Sequence, residues 1–228
     1  MAGIIRIPPP QLKPLKLLVG CETSGVVRRA FAELGHDVWS CDLLPADDGS
    51  NRHIVCDVRD LLNDEWDMVA VMHPPCTRLC NSGVRWLKTP PPGRTLEEMW
   101  AELDEGAELF SACWNAPIAR IAIENPVMHR YAKERIRDYR KPAQTVQPWW
   151  FGEPAFKATS FYLRGLLPLR ETNRLVPPKP GTDEHKFWSQ VHRAPPGRDR
   201  WKIRSKTYEG IAAAMALQWG GNALRAAA

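Results

Sequence analysis

The 228-residue chain lacks several features that would each point to a function class. No apolar run is long enough to span a bilayer, so no transmembrane helix is expected. No Gly-Lys-Ser/Thr sequence is present, so it carries no P-loop, and no GxGxxG turn marks a dinucleotide fold. No internal repeat suggests a solenoid. Six cysteines lie at 21, 41, 56, 76, 80 and 113, but no second pair with zinc-finger spacing accompanies Cys76 and Cys80. They are therefore expected to be free thiols in a reducing compartment, with no metal. The opening stretch, MAGIIRIPPPQLKPLK, has no signal-peptide core or small-residue cleavage site. Residues 1–14 read as a flexible, proline-rich lead, and the protein is expected in the cytoplasm.

The length suggests one domain, residues 15–228, able to bury a sizeable core. Its formal net charge is +5, a bias that favours a polyanionic partner. The cations cluster in HRYAKERIRDYRK and HRAPPGRDRWKIRSK, with Trp and Tyr among them. Phosphate contacts combined with base stacking use that mixture.

Apolar runs alternate with helical patterns. LKLLVG, DVWSCD, HIVCD, DMVAVM and ARIAIEN read as strands. SGVVRRAFAELGH has Val26, Val27, Ala30, Phe31 and Leu34 at helical spacing, with Gly35 as its stop. LEEMWAELDEGAELFSACW is an amphipathic helix with Leu96, Met99, Leu103 and Phe110 on one face. The alternation predicts an α/β fold, a Rossmann-like, doubly wound, mostly parallel sheet. QTVQPWWFG and TSFYL read as later strands, residues 170–200 as long loops, and YEGIAAAMALQW as a final helix. The region 127–205 is expected to be an irregular, substrate-facing insertion, and 206–220 a helix returning to the core.

The first five strands end in Gly20, Asp42, Asp57, the stretch His73 to Cys76, and Glu124. In an open doubly wound sheet that edge binds ligands. Gly20 and Gly25 flank the turn VGCETSG, Asp42 lies at the distance where an acid takes a ribose hydroxyl pair, and Asp57 follows where an adenine amino group would sit. A nucleoside-bearing cofactor fits this rim, and no cation is placed for a pyrophosphate.

In HPPC, Pro74 and Pro75 fix backbone φ ahead of Cys76. The thiol is thereby pre-ordered, as a nucleophile is and an inert core cysteine need not be. Glu124 ends an apolar strand, where burial raises a carboxyl's pKa. A thiolate with a carboxylic acid is the pair that activates a pyrimidine, with sulfur adding to ring carbon 6 and the acid protonating ring nitrogen 3.

PPC after the fourth strand and EN after the fifth resemble motifs of the DNA cytosine-5 methyltransferases, and residues 15 to 220 look like short phage-encoded members of that kind. The closing SKTYEGIAAAMALQW resembles the family's last motif. The resemblance implies catalytic roles for Cys76, Glu124 and Asn125. It implies an S-adenosyl-L-methionine pocket from Gly20, Cys21, Glu22, Gly25, Asp42, Leu43, Asp57, Val58 and Pro74. Substrate contacts are expected from Pro75, Arg78, Arg85, Lys157 and Arg164, with Arg200 and Arg204 as further candidates, and DNA carrying a flipped or single-stranded cytosine as partner. A phage-encoded member would work in the host cytoplasm. The chain departs from the family in its glycine-poor first turn, in Pro126 after Glu124-Asn125, and in a reduced recognition region. Two alternatives therefore stand beside methyl transfer to cytosine: a non-catalytic DNA-binding protein on the same scaffold, and a pyrimidine-modifying transferase that acts on nucleotides or moves another one-carbon group.

Overall fold

The computed structural model describes residues 13–195, 204, 205 and 207–221. Seven strands form one mixed sheet: β1 (Lys16–Gly20), β2 (Asp37–Asp42), β3 (His53–Val55), β4 (Met68–Val71), β5 (Arg120–Asn125), β6 (Gln144–Val146) and β7 (Thr159–Arg164). Their order is β3-β2-β1-β4-β5-β7-β6. The first five are parallel, and β7 is antiparallel to both β5 and β6. The central runs KLLVG, MVAV and RIAIEN are buried on both faces, as near-continuous apolar strands of a covered parallel sheet must be.

The chain builds outward from β1 to β3, then returns to lay β4 on the other side of β1. That reversal opens a crevice at the carboxyl ends of β1 and β4, the switch point where such sheets bind ligands. Gly20 and Val71 are register partners there, and the Met72 amide donates to the Gly20 carbonyl at 2.9 Å.

Helices cover both faces. Helices α1 (Val26–Glu33) and α6 (Glu209–Met215) set Val27, Phe31, Ile211 and Met215 over Leu17, Val19, Ala70 and Ala122. On the other face α2 (Leu96–Trp114) sets Met99, Leu103 and Phe110 over Leu18, Val69, Val71, Ile121 and Ile123. Each fully buried side chain of this size contributes about 1.5–3 kcal/mol. Helix α2 starts where Thr95 and Glu98 cap each other reciprocally, at 3.2 and 3.1 Å.

The carboxyl-terminal half differs from its sequence reading. The region 127–205 is not an irregular insertion, because β6 and β7 complete the main sheet and α3 (Arg130–Arg135) packs on α2. QTVQPWWFG is a strand only to Val146. Pro148 then starts a 3-10 turn, Pro148–Trp150, having no amide to give a ladder. The expected loop of 170–200 holds α4 (Asp183–Trp188) and α5 (Gln190–Arg193). Thr182 caps α4 by accepting from the His185 amide at 3.2 Å, with Asp183 and Glu184 in the first turn, a start signal masked by the surrounding prolines and glycines. The final helix ends in a π turn, Ala216–Gly220. No helix among the described residues is long and apolar enough to cross a membrane. The lead sequence before Lys13 and Arg200 lie outside the described residues.

Candidate active site

The loop after β4 carries the thiol in a tight turn. The Cys76 carbonyl accepts from the amides of Leu79 and Cys80, both at 3.0 Å. Behind the turn the backbone passes so close to itself that a side chain at Gly83 would put a Cβ 1.7 Å from the Thr77 carbonyl oxygen. Gly106 of α2 gives room from below, facing the Pro75 carbonyl.

The same loop is laced to the one after β5. The His129 amide donates to the Leu79 carbonyl at 3.0 Å, the Asn81 amide to the Val127 carbonyl at 3.3 Å, and Cys80 and Met128 form an isolated antiparallel bridge. The His129 imidazole Nε2 also bonds the Arg78 carbonyl. Because β4 and β5 are register neighbours, this lacing brings the Cys76 loop beside the end of β5, where Glu124 sits.

Glu124 is buried and lines a narrow cleft with His73, Lys157, Thr207 and Tyr208. His73 Nε2 is hydrogen-bonded with Thr207 Oγ1 at 2.8 Å, and its Nδ1 lies 3.9 Å from Glu124 Oε2. This contact is not an ion pair. Burial pushes the Glu124 carboxyl above the ordinary carboxylate range, against the opposing charge of Lys157. Burial and then Lys157 hold the His73 imidazole well below its usual value, so the ring is neutral near pH 7. Burial, then the charge of Glu124, then Cys80 push the Cys76 thiol up to about 12, while Lys157 and Arg204 pull the other way. Cys76, Glu124 and Lys157 thus share one electrostatic field.

The residues expected to form a cofactor rim lie at the carboxyl ends of β1 and β2 and just after β3. Cys21 adopts a left-handed backbone, φ 55°, directly after β1, and its half-buried thiol is pushed well up by desolvation, then by Cys113 and Cys41, then by the charges of Asp42 and Asp57. Asp42 Oδ1 accepts from the Leu44 amide at 3.0 Å, and Leu43 beside it is 70% exposed. An acid next to an open apolar side chain suits a ribose and a base. Asp57 does not suit an adenine amino group, because Arg59 holds its two oxygens by three bonds of 2.6–3.0 Å and keeps its pKa low. Gly20 is a packing requirement: a Cβ there would meet a methyl of buried Val58 at 2.6 Å.

Glu22 and Gly25 turn inward. The fully buried Glu22 carboxylate accepts from the α1 amides of Val27 at 2.8 Å and Arg28 at 3.4 Å, filling that helix's amino terminus. Gly25, at φ 65°, leaves room for Arg28, which binds Asp48 at 2.6 Å and Ser40 at 3.0 Å. Pro74 is buried under the thiol loop and Pro75 is exposed.

Several expected side chains are placed elsewhere. Arg164 is a correction: it pairs with Ile121 at the far end of β5, and its guanidinium donates to the carbonyls of Trp114, Ala116 and Ile118, closing the turn after α2. Asn125 follows Glu124 in the strand and so faces the α2 side, where both its side-chain polar atoms are buried and unpartnered. That position is the reverse of the one expected for a catalytic group beside Glu124. Arg78 is buried on Glu102 at 2.6 Å, and exposed Arg85 lies over the Trp86 ring at 4.3 Å. Half of the Lys and Arg residues in the basic run from 130 face acids, with Arg130 on Glu134, Arg135 on Asp104 and Arg137 on Glu108. Trp149 carries Arg174 over its ring at 4.4 Å. Lys157 does line the cleft.

Thr207 is the residue that sequence reading passed over. Its signal was its place in SKTYEG, a short polar segment directly before the closing helix, with no partner visible until the chain is folded. Among the described residues no cluster of three or more His, Cys, Asp or Glu side chains is arranged to hold a metal. Compared with known proteins, the chain matches no protein-family model and no curated protein.

Proposed function

We propose that the protein is a Rossmann-like methyltransferase that acts on carbon 5 of cytosine in DNA through a covalent cysteine adduct. The observation that carries this reading is the delivery of Cys76 and Glu124 to one rim by neighbouring parallel strands, with their loops laced together and Lys157 beside both. The ordered thiol gives its proton to solvent and its sulfur bonds ring carbon 6. The Glu124 proton passes to ring nitrogen 3, leaving a carboxylate stabilised by Lys157. Carbon 5 becomes the nucleophile. Asp42 and Leu43 would hold S-adenosyl-L-methionine, which would supply an electrophilic methyl group and leave as the thioether. Loss of the carbon-5 proton to a base then expels the sulfur, and Glu124 recovers its proton.

A thiol held near 12 is protonated at rest. In this reading the chain keeps Cys76 unreactive until a pyrimidine fills the cleft. The same observation favours a second reading, a DNA-binding protein on this scaffold without chemistry. DNA containing 5-fluorocytosine separates them. An enzyme traps it as a stable adduct that Cys76→Ala does not form, while a binding protein retains both DNAs equally. Absence of S-adenosyl-L-methionine binding in calorimetry counts against the first reading.

A further inference from the structure

The position of His73 carries an inference beyond the thiol and the acid. It is the first residue after Met72 on the loop that holds Cys76, and it bridges two parts of the chain. Nε2 is held at 2.8 Å by Thr207, just ahead of α6, and Nδ1 looks at Glu124 Oε2 from 3.9 Å. The other groups around the pair are Lys157 from the segment before β7, Tyr208 next to Thr207, and Cys76, on which Arg204 also acts. A threonine hydroxyl both accepts and donates. Lys157 is the only cation lining this cleft among the described residues, and its charge opposes a second positive charge on the ring. Catalytic hydrogen bonds are often long in a resting site and tighten when substrate binds.

We propose that His73 is a positioning residue for Glu124: Thr207 accepts a hydrogen bond from Nε2–H and fixes the ring, leaving Nδ1 to accept from the acid form of Glu124 and aim that acid at ring nitrogen 3. This rests on the methyltransferase reading. It also explains selection of the base. Cytosine presents a bare nitrogen 3, which an acid can protonate, whereas uracil and thymine present an N–H that an aimed acid opposes. A hydrogen bond to the neutral carboxyl favours that form, so the imidazole extends the pH range in which Glu124 remains a donor.

The test uses the full-length protein. Kinetics on cytosine DNA should show His73→Phe losing about tenfold or more in kcat with KM changed less than about twofold. The high-pH limb of its kcat profile should move down by about one unit. Thr207→Val should reproduce the shift and Thr207→Ser should recover most of it. Nitrogen-15 NMR of the labelled ring should show the Nε2–H tautomer in the native protein and a mixture in Thr207→Val. Unshifted profiles in both His73→Phe and Thr207→Val, or an Nδ1–H tautomer in the native protein, overturns the proposal. If the native protein transfers no methyl group, the functional reading fails by itself. The tautomer, with the infrared carbonyl band of the Glu124 acid in His73→Phe, still decides whether ring and acid are coupled: an unmoved band overturns the coupling.

Discussion

Gly83 passes the Thr77 carbonyl so closely that no side chain fits between them; a Cβ would sit 1.7 Å from the oxygen. That oxygen is backbone, so it cannot swing aside. Gly83→Ala must therefore push apart the turn that presents Cys76. The expected cost is roughly 2–4 kcal/mol, read as a lower Tm in thermal unfolding. Gly93→Ala, where a Cβ meets nothing within 4 Å but φ is 78°, should cost only the backbone strain, about 1 kcal/mol.

Glu124→Gln should stabilise the protein at neutral pH. The native carboxyl titrates above its unfolded value because it is buried. Between those two values the folded state holds a proton that the unfolded state has released, so stability falls as pH rises through that window. Glutamine has no such penalty. The gain in Tm over the native protein should be near zero at pH 4, grow as pH rises above the ordinary glutamate range, and level off above the raised value. A constant offset at all pH values would mean that burial of the acid is not its cause.

Cys76 should alkylate slowly. With its thiol at about 12, the rate with iodoacetamide should rise roughly tenfold per pH unit through pH 10. Lys157→Met removes a charge that lowers the thiol's pKa, so labelling of that variant should be slower still at each pH. Peptide mass spectrometry distinguishes Cys76 from Cys80. Saturation of Cys76 labelling near pH 8 would refute the assignment.

Arg28 braces helix α1 against β2 and the loop that follows it. Its side chain is 8% exposed and ties Asp48, Ser40 and Ser50 to α1. Burial pushes Asp48 up, but Arg28, the Ser50 amide and Arg29 more than offset it, and its pKa is lowered. The contribution is present above the ordinary aspartate range and disappears as pH falls through the lowered value. Arg28→Met should cost about 2–3 kcal/mol at pH 7 and less at pH 3, as measured by urea unfolding.

The parallel half of the fold was legible because periodicity alone determines it. LKLLVG, DMVAVM and ARIAIEN are too short for helices and too apolar for surface strands, and α2 matches its predicted span, Leu96–Trp114. The later half was obscured by composition. Prolines around Thr182 hid a capped helix, and Pro148 broke a run that reads as strand. Cys76 and Glu124 stood out because one follows an apolar strand on a proline-stiffened loop and the other lies at the end of one. Arg164 could not be rejected, since nothing local says that three carbonyls left open after α2 will claim it. Thr207 was equally hidden, because its partner His73 stands 134 residues away.

The stitching between the loops after β4 and β5 has a mechanical result. Sulfur and acid ride on what is effectively one stiff plate, braced on two central strands and on Gly106 of α2. Room for an aromatic ring cannot come from hinging one against the other. It has to come from the opposite wall, where Lys157, Thr207 and Tyr208 meet the plate through side-chain contacts.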